Sequence, residues 1–428
     1  MKARGQNIET PLHTAVLLEN IESIEDLLNA GVSIACLDSS GQTPLHLCVK
    51  NELEDPLQAN DGETPIHSAA ALGNLDVLNE ILSVSKQRDL IDCQNQDGET
   101  ALFKAINHGH LNCVEAILNE GASTKITLPG DVNVLHVAAE KQHNDILNYL
   151  LNYDKVVEMI NYLTAPEKKG FGPIHYAVLN NNVESLKILL SKNADIRLRT
   201  TSNPHKSATA LHIAAVRNFQ DVAKAIVEND KTTIYEVDAM GWYPLHSASH
   251  HGSRDVIMLL LKEGADLSGY TDGPKKFRRT AIDMILNNLS KPTDFMEEVF
   301  DTCISSNCQN FQDSACEITV DYRILMPSTC EMEQIKVIKA LLKTGNRYGQ
   351  KRLLLHPLVE SFLYLKWKAL LPFFYTIIFV YSLFVASLTI FCYSVFYFKD
   401  IKERPPKFLL PHLWARIMYG TVLLTILQ

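Results

Sequence analysis

The sequence predicts an all-α chain: a solenoid of paired helices, then a mixed linker, then transmembrane helices, the first complete and the second cut short. Three observations predict it. One six-residue phrase recurs along the first two thirds at a spacing near 33 residues. Beyond it the pattern gives way to a segment with both helix and strand signals. Residues 369–398 then run for thirty positions without a charge.

The phrase reads TPLHTA from Thr10, TPLHLC from Thr43, TPIHSA from Thr64, TALFKA from Thr100 and NVLHVA from Asn133. It continues as GPIHYA from Gly172, TALHIA from Thr209, YPLHSA from Tyr243 and TAIDMI from Thr280. Successive starts lie 33, 21, 36, 33, 39, 37, 34 and 37 residues apart. A 33-residue period carrying T-P-L-H-x-A is the signature of ankyrin repeats, which stack as helix pairs. About nine repeats are therefore expected over residues 1–289, the second shortened by about one helix.

Each position of the phrase has a physical reason. Threonine is a good N-cap, its hydroxyl accepting from an early backbone N–H. Proline at the first helical position loses nothing, because its missing donor has no partner there. The following Leu or Ile enters the core, and the alanine lets neighbouring helices approach closely. Apolar second helices follow, such as Val256, Ile257, Leu259, Leu260 and Leu261, with Gly264 placed for a left-handed C-cap. Asp61–Gly62 and Asp97–Gly98 mark turns between repeats.

The recurring histidines His13, His46, His67, His136, His175, His212 and His246 invite a metal or catalytic reading. Repeat context favours a structural one, in which each imidazole bridges backbone groups of adjacent repeats. His246 and His250 form an i, i+4 pair, but no Cys, Asp or Glu stands at a spacing that completes a zinc set. The fourth phrase has Phe103 and the ninth Asp283 where histidine is expected, the latter suiting a terminal repeat. No enzyme constellation and no cofactor site emerges.

Composition narrows the class further. Net charge is −9 over 428 residues, with no concentrated basic footprint for nucleic acid. Nine cysteines without regular spacing do not form a secreted disulfide framework. The start, MKARGQNIETPLH, has no apolar core of a signal peptide, so a cytoplasmic N-terminus is expected. The run Lys275 to Arg279 reads as a solvated loop between repeats eight and nine.

Residues 290–349 form the expected linker: a helix from Phe295 to Ser305, a strand within Cys316 to Tyr322, and a helix from Glu331 to Leu342. Its four cysteines, Cys303, Cys308, Cys316 and Cys330, raise a thiol-sensing reading. Their spacing does not fit zinc, and ordinary reduced cysteines are the simpler reading in a cytosolic segment. Residues 350–368 read as an amphipathic segment, 369–398 as the first transmembrane helix and 399–416 as an extracellular loop. Twenty apolar residues suffice to span a bilayer, and Trp367, Tyr393 and Tyr397 suit its interfaces. Pro372 is expected in the first turn of that helix, and 417–428 is the start of a second.

The junction carries a resemblance. HPLVESFLYLKWK, His356 to Lys368, directly before a first span resembles the segment preceding the first span of transient receptor potential ankyrin channels. FMEEVFD from Phe295 and DYRIL from Asp321 are similar to the same family, in wording most like its pyrexia-type insect branch. The resemblance implies a tetrameric plasma-membrane cation channel with six spans per subunit, sensing heat or noxious stimuli. The chain would supply the N-terminal part of a subunit, alone or in a hetero-oligomer. His356, Pro357, Lys366, Trp367 and Lys368 would couple the cytoplasmic part to the bilayer. Two other readings remain open: a membrane-tethered scaffold binding a protein on the concave face, and a non-conducting regulator of intact subunits. An ankyrin-linked palmitoyltransferase would need an Asp-His-His-Cys motif, which the sequence lacks.

Overall fold

The computed structural model describes residues 10–17, 27, 30, 32, 36, 38, 44, 63–84, 91–202, 206–272, 278–306, 317–326, 335–343 and 347–400. They divide into two compact units, one of residues 1–292 and 323–340, the other of 293–322 and 341–428. Thr43, His46, Cys308, Cys316, Cys330, residues 401–416 of the expected loop and the expected second span at 417–428 lie outside the described residues.

In the first unit, among the described residues, the phrases open inner helices, and from the third phrase to the eighth an outer helix follows each. The order is α1 (Pro11–Leu17), α2 (Pro65–Leu72) with α3 (Leu75–Val84), and α4 (Ala101–His108) with α5 (Leu111–Asn119). Next come α6 (Val134–Glu140) with α7 (Asn144–Leu150) and α8 (Pro173–Leu179) with α9 (Val183–Ser191). The series ends with α10 (Ala210–Arg217) and α11 (Gln220–Asn229), α12 (Pro244–His251) and α13 (Arg254–Lys262), then α14 (Ala281–Asn288). From α2 to α14 each inner helix packs on the next inner helix, and Ala69, Ala105, Ala138, Ala177, Ala214 and Ala248 are wholly buried along that seam. Small side chains let the backbones close up, while Leu78, Ile117, Leu147, Leu189, Ile226 and Leu260 fill the layer beneath the outer helices. A single turn at Asp154–Val157 and a 3-10 turn at Pro166–Lys168 take up the 39-residue spacing between the fifth and sixth phrases.

Glycine is required where these helices end. Gly73 and Gly109 sit in the left-handed region at φ +75 and +85, and an added Cβ would lie 2.5 Å from the His110 ring and 2.6 Å from that of His143. Each histidine comes from the following repeat and reaches back to a late carbonyl of the helix the glycine ends. His110 Nε2 lies 3.0 Å from Ala71 O, and His143 Nε2 lies 3.4 Å from Asn107 O. The orphan carbonyls of one repeat are thus satisfied by the next.

The second unit starts at the helix α15 (Pro292–Thr302), followed by the strands β1 (Ile304–Ser306) and β2 (Ile318–Val320), paired antiparallel with Ile304 opposite Val320. The helix expected to reach Ser305 therefore stops at Thr302, because Ile304–Ser306 are committed to strand pairing. The second linker helix is α16 (Lys336–Lys343), and its expected start at Glu331 lies outside the described residues. Then come α17 (Arg347–Leu354) and α18 (Pro357–Asp400). The expected segment 350–368 and span 369–398 are not separated: α18 runs through both for 44 residues. Pro372 consequently lies deep inside the helix rather than in its first turn. At 1.5 Å per residue such a helix exceeds the bilayer core of roughly 30 Å. Among the described residues α18 alone is long and apolar enough to cross a membrane.

Candidate functional site

Within the second unit, Asp301 with His356 and Tyr322 with Ser361 bring residues of all three junction phrases to the base of α18. Helix α15 buries Phe295, Met296, Val299 and Phe300 on one face, and the facing chain buries Leu353, Leu358, Val359 and Phe362. The other face of α15 is acidic. Arg352 Nε donates to Glu297 Oε1 at 2.8 Å, a second guanidinium nitrogen donates to Glu297 Oε2, and Nη1 donates to Asp294 Oδ1 at 3.0 Å. Its hydrogen bond to Glu297 holds the Arg352 guanidinium above its ordinary pKa.

One helical turn further along, His356 is 8 % exposed and its Nε2 lies 3.1 Å from Asp301 Oδ1. Its Nδ1 accepts the Leu358 N–H at 3.3 Å, so the ring proton sits on Nε2 and is donated to Asp301. The same ring lies 5.4 Å from Phe300. The Tyr322 hydroxyl donates to Ser361 Oγ at 3.0 Å, and its ring lies 6.0 Å from Phe362. Proline at 357, the first residue of α18, fixes the turn between α17 and α18. The result is a cassette in which residues from three separated stretches grip the first turns of the apolar helix.

Lys366, Trp367 and Lys368 lie beyond the cassette on α18. Trp367 is 53 % exposed, its ring 5.7 Å from Phe374, and Lys366 Nζ lies 5.5 Å from the Phe362 ring. Cys303, the one described member of the cysteine set, is half-buried with its thiol 3.5 Å from Val299 O. Sequence reasoning missed Arg352, Glu297, Asp294, Tyr322 and Ser361 as a unit. The signal was present in Asp294, Glu297 and Asp301, which share one helical face by their spacing.

The ladder histidines sit in the solenoid with a repeated geometry. Nε2 of His67, His136, His175, His212 and His246 lies 2.9 to 3.0 Å from the carbonyls of Glu99, Tyr162, Leu198, Trp242 and Gly269 in the loop leading to the next repeat. A carbonyl only accepts, so Nε2 carries the proton and Nδ1 is an acceptor. It takes the N–H of Thr64, Asn133, Gly172 and Thr209 at 3.2, 3.0, 3.0 and 3.3 Å. The Thr64 and Thr209 hydroxyls add to this at 2.8 and 2.9 Å. The threonine hydroxyl thus turns to the imidazole in these repeats, where an early amide was expected. Thr10 does the same to His13 at 2.6 Å. Where Asp283 replaces histidine, the Thr280 hydroxyl accepts the amide of Asp283 at 3.3 Å. Burial pushes His136, His175 and His246 down to about 4 and also lowers His67 and His212, so all five rings are neutral. The His250 ring lies tilted 5.0 Å from that of Trp242 and 4.9 Å from that of His251, whose Nδ1 meets Ser247 O at 3.0 Å.

Sequence profiles of ankyrin repeats match residues 12–56, 50–127, 123–200 and 197–269. The transient receptor potential channel pyrexia of Drosophila melanogaster is 30% identical over 141 residues, 33% of this chain and 14% of that protein. The transient receptor potential cation channel protein painless of the same species is 31% identical over 191 residues, 44% of this chain and 20% of that one. Human transient receptor potential cation channel subfamily A member 1 is 25% identical over 284 residues, 61% of this chain and 25% of its own length. The chain thus spans a quarter or less of each of these relatives. The repeat profiles and the stacked helix pairs together establish that the chain belongs to the ankyrin-repeat family, with homology to transient receptor potential channels.

Proposed function

We propose that the chain forms the cytoplasmic arm and first span of a cation-channel subunit of the transient receptor potential ankyrin type, of the pyrexia-like branch. In this reading α18 crosses the plasma membrane with the N-terminus in the cytoplasm, further spans complete the subunit, and subunits assemble as tetramers. The arm is not an enzyme; its concave face is a docking surface for a protein partner. The observation that supports this most is the cassette, which clamps the base of the apolar helix with residues from three junction phrases. A stimulus shifts an open–closed equilibrium only through different interaction free energies in the two states. For heat, that difference is one of enthalpy or heat capacity, as when apolar surface is exposed with temperature.

The test is voltage clamp of cells expressing the complete reading frame during a heating ramp. A cation current with a steep temperature dependence is expected. Surface-expressed protein that passes no current at any temperature or voltage would leave the scaffold reading in its place. Within this framework Trp367→Ala removes an exposed aromatic at the bilayer surface, where indole rings prefer to sit. Its expected effect is a shifted temperature of half-activation at unchanged surface expression; an unaltered temperature and voltage response would deny Trp367 a part in coupling.

A further inference from the structure

The inner helices of the solenoid finish on a row of basic side chains. His108, Arg217 and His251 are the last residues of α4, α10 and α12, and Lys141 caps α6; all four are exposed. A cation at a helix C-terminus is favoured by the dipole, so the row by itself asks for no ligand. The eighth repeat adds an aromatic platform to it. The Trp242 ring, from the loop ahead of α12, lies against His250, and the His250 and His251 rings meet edge to face. Asp238 Oδ1 accepts the N–H groups of Met240 at 2.8 Å and Trp242 at 2.9 Å, which fixes the turn that presents both side chains. Met240 is 60 % exposed, an apolar surface beside the indole.

The platform carries positive charge without a counter-charge. Burial, the neighbouring His251 and Arg279 all push the His250 pKa down, and no acidic group pushes it back. Among the described residues Lys141, Arg217 and Arg279 form no ion pair. The carboxylates of this stretch are engaged elsewhere: Asp238 with the two amides above, Asp255 with Asn218 Nδ2 at 2.8 Å, and Asp283 with the Thr280 hydroxyl at 2.7 Å. Glu140, next to Lys141, is the one acid at the inner-helix ends from α4 to α14. Packed helices lie about 8–10 Å apart, and an extended chain rises about 3.3 Å per residue. A segment laid along the row therefore meets a new inner helix at about every third residue.

We infer that the concave face over repeats five to nine docks an extended acidic segment of a partner protein. Carboxylates at about every third residue face Lys141, Arg217 and Arg279, and an aromatic or apolar side chain lies against Trp242, His250 and Met240. The inference rests on the reading of that face as a docking surface and names the chemistry of its partner. The probe is a short labelled peptide with glutamate at every third position and one phenylalanine. It is titrated by fluorescence anisotropy against the full chain in phosphatidylcholine nanodiscs at pH 7. Saturable binding is expected, and the same peptide with glutamine for glutamate is expected to bind at least about tenfold more weakly. Arg217→Gln with Arg279→Gln changes two exposed side chains without ion-pair partners, so the fold should persist and the glutamate peptide should bind about tenfold more weakly. Trp242→Ala keeps the carbonyl that His212 meets and is expected to weaken binding about threefold to tenfold. Lys224→Gln, exposed on the outer helix α11, is the control and should change nothing. Equal binding of the glutamate and glutamine peptides overturns the inference. So does glutamate binding that survives the double substitution, or that Lys224→Gln weakens as much. If the glutamine peptide or a lysine counterpart binds instead and Trp242→Ala abolishes it, the inference fails while the docking reading stands. If none of the three binds, the inference fails and the concave face takes no extended peptide.

Discussion

Lowering the pH from 7 to 5 is expected to melt the central repeats while the same chain at pH 7 stays folded. His136, His175 and His246 are held near 4 by burial, against an ordinary value of 6.5 in the unfolded chain. Between these values the unfolded state binds the proton and the native state does not. The stability these rings confer is therefore complete above about 6.5 and is lost as pH falls toward 4. At pH 5 each ring costs about 2 kcal/mol, and His67 and His212 shift in the same direction. Three such terms rival the whole stability of an ordinary domain. Hydrogen exchange over residues 134–251, corrected for the intrinsic pH dependence of exchange, should show protection falling steeply in that window. Equal protection at pH 7 and pH 5 would mean that the rings are solvated or already charged in the fold.

Truncating Phe300 to alanine is expected to destabilise the cassette by about 3–5 kcal/mol, the usual cost of emptying a buried phenylalanine site. Phe300 is fully buried, lies on α15 beside Val299 and Met296, and is covered by the His356 ring. Solenoids are held by nearest-neighbour interfaces, so the repeats should keep their protection while residues 293–306 and 347–362 lose theirs. Tyr364→Ala, which removes a side chain 63 % exposed on α18, is the control and should change neither region. If Phe300→Ala left the cassette as protected as the parent, α15 would not be the floor on which α18 rests.

The solenoid was legible because its information is local and repeated. Thr64, Pro65 and His67 lie within one turn, and the carbonyl that His67 reaches is a fixed distance along a repeating period. Phe103 and Asp283 were legible as departures for the same reason. What stayed hidden depends on contacts between distant stretches. Arg352 lies 55 residues from Glu297, and nothing in either neighbourhood names the other. The role of His110 and His143 over Gly73 and Gly109 was equally opaque, since each crosses to the preceding repeat. Pro372 was misplaced because a charge-free stretch marks where lipid begins, whereas the helix begins at Pro357, where the cassette sets its axis.

The central claim is that the clamp on α18 transmits state changes to a gate, and the Arg352–Glu297 pair tests it most directly. Arg352→Glu, Glu297→Arg and the double exchange are compared in the complete reading frame, the proposed channel subunit, by voltage clamp at matched surface expression. Each single reversal sets like charges against each other and is expected to shift the temperature and voltage of half-activation. The double exchange restores the pair and is expected to return both toward the parent values. Activation unmoved by either single reversal, or a double exchange whose effect is simply the sum of the two, would contradict the claim.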